Sequence, residues 1–546
     1  MIKKLFNKKI NSITVAAVLV AFFSLISRFL GILRDRILAG EFGAGETLDV
    51  YYAAFRVPDL VFNLLVLGAI SAGFIPIFTG LIKFGGEPKA SSLFRPLNKH
   101  AWHLVNNVLN ILIVTLFVLA LLGIVFALPL MKLIAPGFSP ALQAQTANLT
   151  RIMFLSPIFL GISSILGGIL QSFKRFFIYS LAPVMYNVGI IIGALFFAPI
   201  WGIYGLAWGV ALGAFMHMLI QIPIVFNLGF RYRPIFNFRD KDVRRLFRMM
   251  VPRTMSLAVS QLNLVVITII ATGLISGSLA IFNLANDLAS FPIGIFGISF
   301  AIAAFPTMSA VAFNKDKLVE SFSSTFRQIL FFIIPSTVLL ITLRAQIIRV
   351  ILGSGRFDWQ DTILTIDTLG FFAVSLFAQA TIPLLIRVFY ARHNSKTPFV
   401  IGFFSVCLNI FLSLFLARRM GVAGLALAFS ISSIINFVLL WLWLRFVLGK
   451  LDEIKILVSV VKFSVSALAC GFVVQITKVL IWPYIDMTRF WGVFVQGSVA
   501  GICGLATYFL LCLITKSEEL FSFWESIRRR LLKTKSKDRV VSIDGV

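Results

Sequence analysis

Charge is scarce in this sequence. Only 13% of its 546 residues are charged, against about 25% in a soluble domain. Negative charge is scarcer still, with 22 Asp and Glu against 49 Lys and Arg. There are four cysteines, Cys407, Cys470, Cys503 and Cys512. All lie within apolar runs and none forms a CxxC pair, so they read as small core residues and not as a redox or zinc centre. The four histidines, His100, His103, His217 and His393, are scattered. His100 and His103 share a helical face, but no acidic or Cys partner accompanies them, which argues against a metal. No P-loop and no Ser/His/Asp set is present. The chain therefore reads as no enzyme, with no catalytic residue, no metal and no cofactor. Without an ATP site, any transport must draw on an ion gradient, the membrane potential or downstream consumption of its substrate.

What the chain has in plenty is apolar length. It is 59% hydrophobic, in runs near the 20 residues or so that a spanning helix needs; barrel strands would alternate over about ten. The fold class is all-α, a polytopic membrane protein of about fourteen transmembrane helices. Expected spans lie near 12–37, 50–82, 101–132, 148–173, 177–198 and 202–228. Six more lie near 248–275, 279–313, 322–351, 362–390, 397–418 and 421–449, and two follow at 455–482 and 488–515. Lys3, Lys4, Lys8 and Lys9 precede the first run as in a signal peptide. No small-residue cleavage site follows, so the run reads as an uncleaved first helix.

The net charge of +27 would suggest nucleic acid in a soluble protein. Here the basic residues fall mostly in alternate loops: after the second span (Lys83, Lys89, Arg95, Lys99), the fourth (Lys174, Arg175), the sixth (Arg231 to Arg245), the eighth (Lys315, Lys317) and the tenth (Arg392, Lys396). The tail adds Arg528 to Arg539. That pattern sets orientation, with both termini cytoplasmic, and points to anionic lipid as a partner in place of nucleic acid. Arg344, Arg349, Arg418 and Arg419 run against it. Two segments, Phe236 to Met250 and Leu520 to Leu531, are amphipathic and suit helices lying on the inner leaflet.

A weak repeat organises the chain. Tyr204-Gly205-Leu206-Ala207 resembles Ala423-Gly424-Leu425-Ala426. Phe173 to Pro183 resembles Phe389 to Pro398, and Asp59-Leu60 with Pro76 resembles Asp287-Leu288 with Pro306. Spans one to six thus read as repeated in seven to twelve. The expected domains are a first six-helix lobe (1–228), an amphipathic linker and second six-helix lobe (229–449), two extra helices (450–515) and a basic tail (516–546). Repeated transporters place their site at the repeat interface.

The charges that do occur within apolar surroundings are concentrated between Ser24 and Pro76: Arg28, Arg34, Asp35, Arg36, Asp49, Arg56 and Asp59. Each costs roughly 2.5–3.5 kcal/mol at a helix centre, and such residues mark substrate paths. Arg28 and Asp35, seven apart, share a helical face to within about 20°, while Arg34 lies about 120° away. Gly31 between them offers a bend. Arginine suits a diphosphate because its fork donates two parallel hydrogen bonds. Arg28 and Arg34 are the leading ligands, with Ser27 and Arg56 behind them. Asp35 and Asp49 are positioned to hold the arginines when no anion is bound. The competing reading is a set of internal ion pairs with no ligand.

The same stretch resembles the start of the MurJ (MviN) family: Ser27-Arg28-Phe29-Leu30-Gly31, Arg34-Asp35, Phe42-Gly43-Ala44-Gly45, Asp49, Phe55-Arg56-Val57-Pro58-Asp59-Leu60, Gly68-Ala69-Ile70-Ser71 and Phe74-Ile75-Pro76. Phe389-Tyr390-Ala391-Arg392 with Lys396-Thr397-Pro398 adds to it, as do Arg175-Phe176 with Asn187, and Phe291-Pro292 with Gly294 and Gly297. The resemblance covers about residues 20–450. It implies a flippase that carries lipid II, the lipid-linked peptidoglycan precursor, to the outer leaflet of the bacterial cytoplasmic membrane by alternating access. The last two spans would form a groove for the polyprenyl tail. Three positions depart from the family pattern: Phe62 where arginine is usual, Leu67 where glutamate is usual, and Asn286-Asp287 in place of Asp-Arg. Arg253 and Arg387 are candidates to replace the lost base. The departures keep other readings open: a flippase for another polyprenyl-diphosphate oligosaccharide, a MATE-like exporter, or a non-transporting scaffold for envelope synthesis.

Overall fold

The computed structural model describes residues 13–67, 73–84 and 99–525, and among these every regular element is helical. The Gly68-Ala69-Ile70-Ser71 motif, the N-terminal lysines, most of the basic loop after the second span, and the tail beyond Glu525 lie outside the described residues. The side chain of Arg253 does too. The longer helices are numbered α1 (Ile13–Phe42), α2 (Glu46–Phe62), α3 (Lys99–Val125), α4 (Leu155–Ser172), α5 (Phe176–Ile192), α6 (Ile203–Leu219) and α7 (Lys241–Thr272). They continue as α8 (Ser278–Pro292), α9 (Lys315–Thr342), α10 (Trp359–Val374), α11 (Leu376–Ala391), α12 (Lys396–Met420), α13 (Val422–Leu448), α14 (Glu453–Ile481) and α15 (Phe490–Ile514).

Ten of the described helices are long and apolar enough to cross a membrane, or eleven if α10 and α11, bent by 44° at their junction, make one span. The chain is a multi-pass membrane protein. Helices α1, α2 and α7 stand at the expected first, second and seventh spans but are not among those ten. Among the described residues, Leu257–Thr272 of α7 is an apolar stretch shorter than those ten. The amphipathic segment expected before the seventh span is no separate surface helix. From Lys241 it is continuous with α7, started by Asp240, whose carboxylate accepts the backbone N–H groups of Asp242 and Val243.

The chain divides into two compact units. One comprises residues 1–284, 351–361 and 410–425, the other 285–350, 362–409 and 426–546. In the first, Phe74 and Phe78 pack with the buried face of α3 (Leu104, Leu109, Leu116), with Ile165 and Ile169 of α4, and with Val243 and Leu246 of α7. Helices α5 and α6 approach backbone to backbone. A Cβ on Gly189 would come within 2.2 Å of Gly213 Cα, so only glycine fits, the small-residue solution to packing where no hydrophobic force separates helix from lipid. Three asparagines of α3 pin the 231–237 connection. Asn106 donates to the Arg231 carbonyl and accepts from Arg233 N, Asn107 exchanges two bonds with the Asn237 backbone, and Asn110 donates to Arg233 and Ile235 carbonyls.

In the second unit, α14 and α15 pack along one another and α14 packs on α9. Tyr508, wholly buried, donates to the Phe331 carbonyl at 2.7 Å, and Phe331 meets the Phe463 ring edge-on at 5.4 Å. Buried Arg327 of α9 is paired with Glu519, just past α15, which also accepts from Ser459 of α14 and Ser517. Cys470 and Cys512 are buried, Cys503 half-buried and Cys407 exposed.

Both Asp-Leu segments of the repeat precede a π-helical turn: Asn63–Leu67 after α2, and Ile293–Ile298 after α8, with Pro58 and Pro292 just upstream. Proline deprives the ladder of an N–H, and the widened turn that follows is a familiar sign of a working segment.

Candidate functional site

A cavity of about 500 Å³ opens within the first unit. Helix α1 supplies Ser24, Ser27 and Arg28, α2 supplies Phe62, α4 supplies Ser163 and Gln171, α5 supplies Tyr179 and Ser180, and the end of α6 and its exit supply His217 and Gln221. These polar residues are spread through otherwise apolar helices, and each lines the cavity. Arg28 is half-buried and has no hydrogen-bond or ion-pair partner among the described residues. A guanidinium is always charged and can donate two parallel hydrogen bonds to one anion.

Arg34 is arranged differently. Its Nε and Nη2 donate to Asp35 Oδ1 at 2.9 and 2.7 Å, and Nη1 donates to Asn187 Oδ1 of α5 at 3.4 Å. Asn187 donates in turn to Ser27 Oγ and to the Ser27 carbonyl, each at 3.2 Å. Ser27, Arg34, Asp35 and Asn187 therefore form one bonded set at the cavity's edge, and α1 runs through Gly31 without a break. Asp35 pairs with Arg34, its neighbour in sequence, and not with Arg28, two turns back on its own face.

Two of the expected site residues are elsewhere. Arg56 donates to Thr268 Oγ1 of α7 at 2.7 Å and to Asn283 Oδ1 of α8 at 2.8 Å. Asp49 is buried and holds no arginine. Its two carboxylate oxygens accept the backbone N–H groups of Gly277 and Ala280 at 2.7 and 2.8 Å. It satisfies donors that the first turn of α8 leaves free, and its charge complements that helix end. At the same end, Ala44 N donates to Asp361 and Arg356 N to the Gly40 carbonyl. The carboxylate of Asp49 thus ties α2 to α8 and leaves the arginines to Asp35.

Sequence reasoning passed over His217, Ser163 and Gln221. Wholly buried Ser163 accepts from Gln221 Nε2 at 2.5 Å and meets His217 Nδ1 at 2.6 Å. The available signal was the pairing of Ser163-Ser164 with a histidine and a glutamine four apart near the end of the sixth span. Phe62, which stands where the family resemblance leads one to expect arginine, lines the cavity that holds Arg28. The side chain of Leu67 is outside the described residues. Arg387, a candidate replacement base, donates to the Pro383 carbonyl of its own turn, and Asp287 is exposed in the second unit. Among the described residues no group of three or more His, Cys, Asp or Glu is placed to hold a metal.

The family model described as lipid II flippase MurJ matches residues 38–494. The chain belongs to that family. Among curated relatives, the probable lipid II flippase MurJ of Buchnera aphidicola from Baizongia pistaciae is 29% identical over 444 residues, covering 78% of this chain and 84% of its own. The lipid II flippase MurJ of Burkholderia cenocepacia is 29% identical over 79% of this chain and 83% of its own. That of Vibrio cholerae, a probable lipid II flippase, is 28% identical over 91% and 95%. Among solved structures, a lipid II flippase MurJ in an inward closed conformation superposes with a TM-score of 0.73 at 24% identity, covering 91% of this chain and 98% of that one. A MATE multidrug transporter of the MOP superfamily, inward-facing, gives 0.63 at 17% identity over 78% and 96%. This MurJ-family chain therefore shares its fold with transporters as well as with its own relatives.

Proposed function

We propose that this chain is a lipid II flippase of the bacterial cytoplasmic membrane, working by alternating access, and that Arg28 receives the diphosphate of its substrate. The carrying observation is the unpaired Arg28 in a polar cavity of unit 1. Arg34, beside it, is held by Asp35 until the anion arrives, and releasing that pair offers a second fork to the same diphosphate. Ser27 and Asn187 keep the two arginines in register. Arg56, bonded to α7 and α8, shapes the cavity from a distance. The proposed organisation is two six-helix lobes, two extra helices that shelter the polyprenyl tail, and a basic tail on anionic lipid, with both termini in the cytoplasm. The chain transports and does no covalent chemistry.

One observation favours a second reading. Phe62 stands in the cavity wall where the family resemblance leads one to expect arginine, which suits a lipid-linked diphosphate sugar that lacks the carboxylates of the lipid II peptide. Rescue of cells depleted of their own lipid II flippase separates the two. Growth supports the first reading; no growth despite normal expression and membrane insertion favours the second.

A further inference from the structure

Beyond Arg28, the cavity wall is almost without charge. His217 is its one other titratable group besides tyrosine, and no Lys, Asp or Glu joins them among the described lining residues. Several neutral polar groups, by contrast, stand idle there. The Gln171 side chain and the Tyr179 hydroxyl have no hydrogen-bond partner among the described residues, and neither has His217 Nε2. The opposite edge of the imidazole is fixed. Ser163 Oγ donates to the His217 carbonyl at 3.1 Å and accepts from Gln221 Nε2, leaving its remaining lone pair for His217 Nδ1–H. In that arrangement Nε2 is an acceptor. The side chains of Ser163 and Gln221, both almost fully buried, make this orientation expensive to change.

An aromatic hydroxyl, an amide and an oriented imidazole acceptor, clustered beside one guanidinium, match a hydroxylated or N-acylated sugar attached to a diphosphate. They do not match a peptide, whose carboxylates and amines would call for charged partners. We infer that Gln171, Tyr179 and His217 form a subsite for the sugar joined directly to the diphosphate, with Ser163 and Gln221 as positioning residues for His217. The inference rests on the flippase reading above and adds to it the group that tells a sugar-bearing lipid from a bare one.

The test is the affinity of the purified full-length protein for lipid II and for the same polyprenyl diphosphate without its sugar. The wild type is expected to prefer lipid II. Gln171→Leu and His217→Leu are each expected to reduce that preference about tenfold, the worth of one hydrogen bond near 1.4 kcal/mol, while affinity for the bare diphosphate stays within about twofold. Ser163→Ala, which leaves the reading groups in place but frees the imidazole, is expected to fall between them and the wild type. Tyr179→Phe keeps the ring and removes only the hydroxyl, so it tests the subsite even if a leucine variant fails to fold. A wild type that prefers lipid II, with variants that keep its full preference, overturns the subsite and leaves the flippase reading standing. A wild type that binds neither lipid overturns both.

Discussion

The two halves of the repeat share their turns and differ in their polarity. Helices α4 and α11 both end with a non-glycine residue in the left-handed region, Lys174 (φ 60°) and His393 (φ 58°). Each is closed by the same pair of bonds: Arg175 N to the Leu170 carbonyl and Lys174 N to Gln171 in one, Asn394 N to Phe389 and His393 N to Tyr390 in the other. The same interval in sequence separates Gly202 from Gly421, each at positive φ, and Gly205 from Gly424, each facing backbone. Carried along that interval, Ser163, His217 and Gln221 fall on Ile382, Asn436 and Leu440. The first half therefore keeps a polar wall where the second has largely apolar residues. The second half's main buried charge, Arg327, is instead consumed by Glu519. The same turns recur at one interval, and among the described residues the polar cluster of Ser163, His217 and Gln221 stands in the first set alone.

Four experiments break or sharpen that contrast. The largest effect belongs to the cavity cation: Arg28→Ala is expected to abolish rescue of flippase-depleted cells. Arg387→Ala, in the second half and already bonded within its own turn, is expected to rescue. Restoring charge to the wall with Phe62→Arg should recover part of the binding lost in Arg28→Ala. Next comes Glu519→Ala, which takes the buried carboxylate from Arg327 and leaves it the exposed Glu518 at 3.2 Å. A fall in melting temperature is expected, smaller than the roughly 3–5 kcal/mol that a wholly unpaired buried charge costs. Third, Gly205→Ala and Gly424→Ala should destabilise to a similar extent, about 1–3 kcal/mol each. Their added Cβ atoms would approach backbone at 2.3 and 2.4 Å. Unequal losses would show that the two turns are less alike than their geometry. Smallest is a gain: Lys174→Gly and His393→Gly relieve a left-handed residue and should each stabilise by up to about 1 kcal/mol in thermal melts.

Much of this was legible beforehand. Apolar run length gave the helical membrane fold, and the Gly-Leu-Ala and Asp-Leu echoes marked turns that the structure builds alike. Charge at membrane depth picked out Arg28, Arg34 and Asp35, because few forces other than function keep such residues in apolar surroundings. Helical spacing puts Asp35 on the face of Arg28, but of the two arginines the carboxylate holds the adjacent Arg34, whose long side chain folds back to it. Asp49 was misassigned for a related reason: a carboxylate seeks any good donor, and the N-terminus of α8, distant in sequence, offers two. Ser163, His217 and Gln221 left only a weak signal because single polar residues in spanning helices are common, and their meeting depends on how α4 packs on α6.

If Arg28 faces the cavity to bind a diphosphate and not to hold the fold together, Arg28→Ala separates binding from stability. Lipid II binding and melting temperature of that variant are measured together on the purified protein in detergent. Wild-type melting is expected, with affinity lowered about ten- to 150-fold, the worth of a charge-assisted hydrogen bond of about 1.5–3 kcal/mol, and only partial recovery in Arg28→Lys. Wild-type affinity in Arg28→Ala, or loss of binding that merely tracks a lowered melting temperature, would contradict that role for Arg28.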